Sequence, residues 1–170
     1  MGHPGTVVEA FGKAHSSVAT AVPIRGGMGA NREIELEREG LFARLATAYQ
    51  RRDLDVFQAA CRPDMVVTLA GSSRLSGTYH GYGAFSEYLD AVRDVLRSAD
   101  DQARFEHDGD RMILTQLVLI SGPFHQVEMQ LKVTVEFHAD GRVQSFLAEL
   151  GDQGLFDYVV NTSAQPSEIR

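Results

Sequence analysis

Residues 125–138 read HQVEMQLKVTVEFH and alternate with a period of two. His125, Val127, Met129, Leu131, Val133, Val135 and Phe137 share one parity, while Gln126, Glu128, Gln130, Lys132, Thr134 and Glu136 share the other. Successive strand side chains point to opposite faces, so the stretch predicts a long strand with one apolar and one wet side. An antiparallel sheet covered on one face has that pattern.

Outward from this strand the same period recurs. Residues 103–107, 112–121 and 142–150 predict three more strands, separated by turns at Asp108-Gly109-Asp110, Ser121-Gly122-Pro123 and Ala139-Asp140-Gly141. Before Ser98 the period changes to 3.6. Over residues 33–52, Leu36, Leu41, Phe42, Leu45, Ala46 and Tyr49 make an apolar stripe opposite Glu and Arg. Asp53 can cap a second helix that carries Leu54, Phe57 and Ala60 inward and stops before Pro63. MVVTLA (65–70) predicts a strand, and 71–81 a turn with a brief second strand. A third amphipathic helix runs through Phe85, Leu89, Val92 and Leu96, and a last helix beginning at Asp152 carries Leu155, Phe156 and Val159. The expected fold is α+β: a cone-shaped, curved antiparallel sheet with three helices on its concave face, enclosing an apolar pocket.

Composition narrows the function classes. A chain of 170 residues with 44% hydrophobic and 23% charged residues is ordinary globular usage. A net charge of −7 without a basic stripe disfavours nucleic acid and anionic membranes as partners. Cys61 is the single cysteine, which rules out an intrachain disulfide and a cysteine-rich zinc site; its apolar setting, FQAAC, suits a packing residue. No metal and no cofactor is expected: Gly-rich phosphate loops and nucleophile elbows are missing, and His107-Asp108-Gly109-Asp110 reads as a solvated turn. Residues 1–32 read as a flexible or loosely helical extension, 33–160 as the domain and 161–170 as a frayed tail. With neither a signal-peptide pattern nor an apolar span, a cytoplasmic protein is expected. Arg far outnumbers Lys, which occurs only as Lys13 and Lys132, and hints at a GC-rich bacterial genome.

Three phrases carry a resemblance: AYQRRDLDVFQAACRPDMVVTLA (48–70), GTYHGYGAFSEYLDAV (77–92) and VEFHADGRVQSFLAELGD (135–152). In order and spacing, residues 41–160 resemble the nuclear transport factor 2-like superfamily, and within it the SnoaL-like polyketide cyclases of secondary metabolism. The resemblance implies a pocket for a hydrophobic polyketide-like or aromatic molecule, a homodimer through the outer sheet face, and cyclase, dehydratase or isomerase chemistry. A non-catalytic binding or dimeric assembly module of the same fold is the alternative, because fold does not fix function.

The resemblance also sorts the candidate residues. Where ketosteroid isomerases carry their Asp base, Tyr and protonated Asp, an arrangement that is one of the worked examples of carboxyl tuning, this chain has Leu69, Leu45 and Val133. Limonene-type epoxide hydrolases need Arg-x-Asp where Arg111-Met112-Ile113 stands. SnoaL-like cyclases use an acidic residue near the end of the last strand; Asp152 matches best and Glu149 second, although an Asp before a helix is also a common N-cap. His125, on the apolar parity of its strand, is a candidate proton shuttle or a residue of the solvent rim. Tyr49, Tyr79 and His80 are candidates for shaping the pocket, with Leu69, Met129 and Val133 as its walls. Thr115 and Gln116 interrupt an apolar strand; one of them faces the cavity, and Gln116 is counted with the substrate-binding set.

Overall fold

Alternating strands and amphipathic helices fold as the hydrophobic pattern dictates, and the computed structural model describes residues 28–99, 103–123 and 126–162. In chain order the elements are α1 (Met28–Arg51), α2 (Leu54–Ala60), β1 (Cys61–Leu69), β2 (Gly77–His80), α3 (Gly81–Arg93), β3 (Leu96–Ser98), β4 (Arg104–Asp108), β5 (Arg111–Ser121), β6 (Gln126–Phe137), β7 (Val143–Leu150) and α4 (Gln153–Thr162). The strands make one sheet in the order β2-β1-β7-β6-β5-β3, with β4 also on β5.

Register decides which side chains face inward. Gln116 lies opposite Leu131, Leu114 opposite Val133 and Met112 opposite Val135. The same rows continue into β7 as Leu150, Ala148 and Phe146. Across β7 they reach β1, where Ala148 meets Leu69 and Phe146 meets Val67. Met112 and Leu114 are fully buried, so this is the concave, core-forming face. Gln116 therefore points inward and Thr115 outward. The convex face carries Glu128, Gln130 and Lys132, together with half-exposed Leu117 and Leu147.

Several expectations need correction. The sheet is mixed, because β1 and β7 run parallel while their other neighbours are antiparallel. Among the described residues the helix expected from Asp152 is present as α4, beside the three that pack on the sheet. β1 starts at Cys61 and runs through Pro63, with a register shift between Cys61 and Val66 that accommodates a residue lacking a backbone donor. Leu96 belongs to the short edge strand β3, since the helix ends where Val95 N–H bonds the Val92 carbonyl. The Asp53 side chain makes no cap bond; its backbone N–H reaches Ala48 O instead, after Arg52 turns at a φ of 56°. Leu36 is exposed rather than inward, because α1 begins at Met28 and its first turns project beyond the core. Asn161 and Thr162, expected in the tail, close α4. The expected N-terminal extension up to residue 27 and the tail from residue 163 lie outside the described residues.

Two polar clamps fix the scaffold. Arg38 donates to Gly109 O at 2.6 Å and lies 4.4 Å from the Phe137 ring centroid, while Glu39 pairs with His107 at 2.9 Å, so α1 is tied to the β4–β5 end of the sheet. At the other end Phe156, Val159 and Val160 of α4 are buried, each such burial contributing about 1.5–3 kcal/mol. Gly71 stands at a φ of 103°, and a Cβ there would collide with the Gln153 amide, so the turn after β1 closes tightly on α4.

Candidate functional site

The concave face and the helices enclose a cavity of about 710 Å³, a size suited to a drug-sized molecule. Helix α1 contributes Phe42, Leu45, Ala46 and Tyr49; α2 contributes Phe57; α3 contributes Phe85, Tyr88, Leu89 and Val92. From the sheet come Val67, Leu69, Leu114, Gln116, Leu131, Val133, Phe146 and Ala148. The exposed lining residues are Gln50, Asp94, Arg97 and Gln126, which makes them the polar rim of an otherwise apolar chamber.

Aromatic rings form much of the wall. Phe57 and Phe85 meet edge to face at 5.0 Å, and Phe85 lies parallel to Phe146 at 6.3 Å. Tyr79 packs its ring 4.8 Å from Tyr88 but does not reach the cavity; its hydroxyl donates to Leu75 O at 2.7 Å. The Tyr49 hydroxyl is buried and has no hydrogen-bond partner among the described residues. Burial, and secondarily Asp94, hold the Tyr49 phenol well above its ordinary range. Burial does the same for Tyr88, with smaller contributions from Tyr49 and Tyr79. Both phenols are therefore neutral hydrogen-bond donors throughout the physiological range.

Of the candidates read from the sequence, Tyr49, Leu69, Gln116 and Val133 line the cavity. Leu45 joins them, so all three positions at which an isomerase would carry its chemistry are apolar wall. Met129 is buried opposite Val118, in the core rather than on the lining. His80 is exposed at the end of β2. Glu149 points to the convex side, 3.8 Å from Lys132 Nζ. Asp152 accepts the Leu155 N–H at 2.9 Å, so it caps α4; it is exposed and is not among the residues that line the cavity. His125 lies outside the described residues; Gln126, next in the chain, lines the rim.

Tyr88, Asp94 and Arg97 were missed. Tyr88 falls three residues after Phe85 and four before Val92, so the spacing that marked the α3 stripe includes it and would have flagged its hydroxyl. Asp94 and Arg97 sit in the turn after α3 and in β3, where no periodicity singles them out.

No protein-family model and no curated protein matches the chain. Solved structures do. A nuclear transport factor 2-like protein from Burkholderia xenovorans LB400 superposes with a TM-score of 0.66 at 16% identity, over 75% of this chain and 98% of that one. The chain has the nuclear transport factor 2-like fold. A proposed polyketide cyclase from Xanthomonas campestris pv. campestris shares this fold at a TM-score of 0.57 and 15% identity, over 76% and 99% of the two chains. So does TerC, crystallised with polyporic acid, at a TM-score of 0.56 and 19% identity, over 67% and 90%. Identities this low establish the nuclear transport factor 2-like cone and no shared reaction. Among the described residues no helix is long and apolar enough to cross a membrane.

Proposed function

We propose that the chain takes a hydrophobic polyketide-like or aromatic small molecule into this cavity and converts it by cofactor-independent acid/base chemistry of the cyclase, dehydratase or isomerase kind. The observation that carries this reading is the 710 Å³ apolar chamber with a few polar groups, Tyr49, Tyr88 and Gln116, on its wall. Such a chamber accelerates a reaction chiefly by holding a flexible substrate folded and excluding water, leaving one or two proton transfers to side chains. Asp94, the carboxylate on the described lining, and His125, the residue preceding rim-lining Gln126, are the groups proposed to move protons.

A second reading, a non-catalytic binding or dimeric assembly module, is favoured by the apolar Leu45, Leu69 and Val133 and by the capping role of Asp152. Half-exposed Leu117 and Leu147 on the convex face suit a dimer contact.

The test is a thermal-shift screen with polyphenols, polyketide intermediates, steroids and epoxides, each hit followed by mass spectrometry with wild type, Asp94→Asn and His125→Ala. A ligand at 100 times its Kd stabilises by about 2.7 kcal/mol, which a melting curve resolves. Conversion by wild type that is lost in either variant supports the enzyme. Tight binding with no chemical change in any hit selects the binding module.

A further inference from the structure

The charges on the cavity wall run against those of the molecule as a whole. The chain carries a net charge of −7. Among the described residues the charged groups on the lining are Arg93, Asp94 and Arg97, so two guanidiniums are set against one carboxylate and leave the wall at +1. Asp100 and Asp101, further along the chain, lie outside the described residues. Arg93 is half-buried in the last turn of α3. Arg97 is exposed in β3, opposite Leu119, which also lines the cavity. Arg32, Arg52, Arg62, Arg111 and Arg142 each meet a carboxylate. Among the described residues no ion pair or hydrogen bond engages the guanidinium of Arg93 or Arg97. Asp90, the acid before Asp94 on this stretch, stands 3.8 Å from Arg52 instead. The C-terminal end of α3 offers Arg93 only about half an elementary charge, and Arg97 lies beyond that helix.

We infer that Arg93 and Arg97 draw the anionic end of the ligand to the cavity mouth, and that the ligand is a planar apolar acid, an aromatic body ending in one carboxylate. A guanidinium is always charged, and its fork of N–H donors matches a carboxylate. Inside the mouth, Phe42, Phe57, Phe85 and Phe146 supply aromatic faces for the body. At the rim the head keeps part of its hydration, so desolvation does not cancel the pairing as it would deep in the apolar chamber. A positive mouth with apolar walls focuses its field and favours an anion that the net charge of the molecule would otherwise repel. Asp94 offsets one guanidinium, so the mouth suits a monoanion better than a dianion such as a phosphate monoester. The inference rests on the proposed reading of the cavity as a small-molecule site and names the charge which that site selects.

The experiment compares two probes of one skeleton, fluorene-2-carboxylate and fluorene-2-carboxamide, which match in shape and differ in charge at pH 7. Affinities are measured by equilibrium dialysis for wild type, Arg93→Gln, Arg97→Gln and the double variant. At low salt wild type is expected to bind the carboxylate about tenfold tighter than the carboxamide, as a net charge-assisted hydrogen bond gives. Each single variant is expected to lose part of that preference and the double variant nearly all of it, with carboxamide affinity held within about twofold. Equal binding of the two probes by wild type, tighter binding of the carboxamide, or a preference that survives in the double variant overturns the anion assignment and leaves the cavity reading standing. Failure of both probes to bind also overturns the assignment, and the thermal-shift screen then shows whether the cavity reading falls with it. If a Gln variant loses the carboxamide as well, the salt dependence of wild type decides. A carboxylate preference that shrinks from low salt to about 0.5 M salt supports pairing with the rim arginines, and one independent of salt overturns it.

Discussion

Asp152 Oδ1 accepts the backbone N–H of Leu155 at 2.9 Å, three residues into the helix it precedes. The four amides at a helix start have no partner within the helix, and a carboxylate here satisfies one of them. Asp152→Ala should therefore destabilise the fold by about 1 kcal/mol, whereas Asp152→Asn and Asp152→Ser should change it by less. Urea denaturation measures this directly. Ligand affinity and any turnover should be unchanged in all three. Loss of turnover in Asp152→Asn at unchanged stability would return this residue to the acid/base role that the cyclase resemblance implies.

Asp157 holds the opposite side of α4. Its carboxylate accepts from Ser72 N at 2.8 Å, Ser72 Oγ at 2.9 Å, Ser73 N at 3.1 Å and Gln153 Nε2 at 3.0 Å. Partial burial alone would raise its pKa, but the hydrogen bonds from Ser72, Gln153 and Ser73 outweigh it and hold the carboxyl below the usual carboxylate range. Asp157→Ala should cost about 1–3 kcal/mol by leaving those donors unmatched. A folded pKa below the unfolded one gives stability that is present above an ordinary carboxylate pKa of about 4 and lost as the pH falls through the folded value. The gap in urea midpoint between wild type and Asp157→Asn should accordingly narrow from pH 7 toward about pH 3. A gap independent of pH would show that the carboxylate charge does not matter here.

Much of this architecture was legible because period-two and period-3.6 patterns are imposed by burial. The parity of Val127 to Phe137 identified the concave face, and it placed Val133 on the cavity wall beside Leu69. Where two patterns overlap, periodicity misleads. Leu96 continues the α3 stripe by spacing yet sits in β3, because the helix ends at Arg93 and the chain turns to pair with Ile120. Thr115 and Gln116 could be told apart only once β5 was registered against β6. Chemistry was harder to read than fold. The acidic residues at 149 and 152 matched a position in the sequence, but one faces Lys132 and the other caps α4. Asp94 reaches the rim through a turn that carries no pattern at all.

Cys61 is completely buried at the junction of α2 and β1. Desolvation pushes its thiol up to about 12, and the thiolate is the reactive form. Native protein at pH 8 should therefore resist a disulfide reagent and react only as fast as the core opens. Adding denaturant should release one fast-reacting thiol per chain. Labelling of native protein at the rate of a free thiol would mean that the α2–β1 junction opens readily. Cys61→Ala should then be nearly neutral, whereas a well-packed site makes it cost about 1 kcal/mol.

The tyrosines that line the cavity make a second pH-dependent claim with the opposite sign. Burial raises the pKa of Tyr88 and Tyr49 above the unfolded value of about 10, because the fold disfavours the phenolate. Below that pH both states carry neutral phenols, so the stability associated with burying them is fully present. As the pH rises past about 10 the unfolded chain ionises first, and that stability is lost progressively toward the folded value. Wild type should therefore lose stability more steeply between about pH 9.5 and 11 than Tyr88→Phe, whose ring cannot ionise. Urea midpoints across that range give the slopes, and phenolate absorbance gives an independent count. Replacing Tyr88 should leave the native absorbance change near pH 10 unaltered while removing one phenolate from the denatured titration. Equal slopes, or loss of native absorbance in Tyr88→Phe, would mean that the hydroxyl is solvated and the cavity wet at that wall.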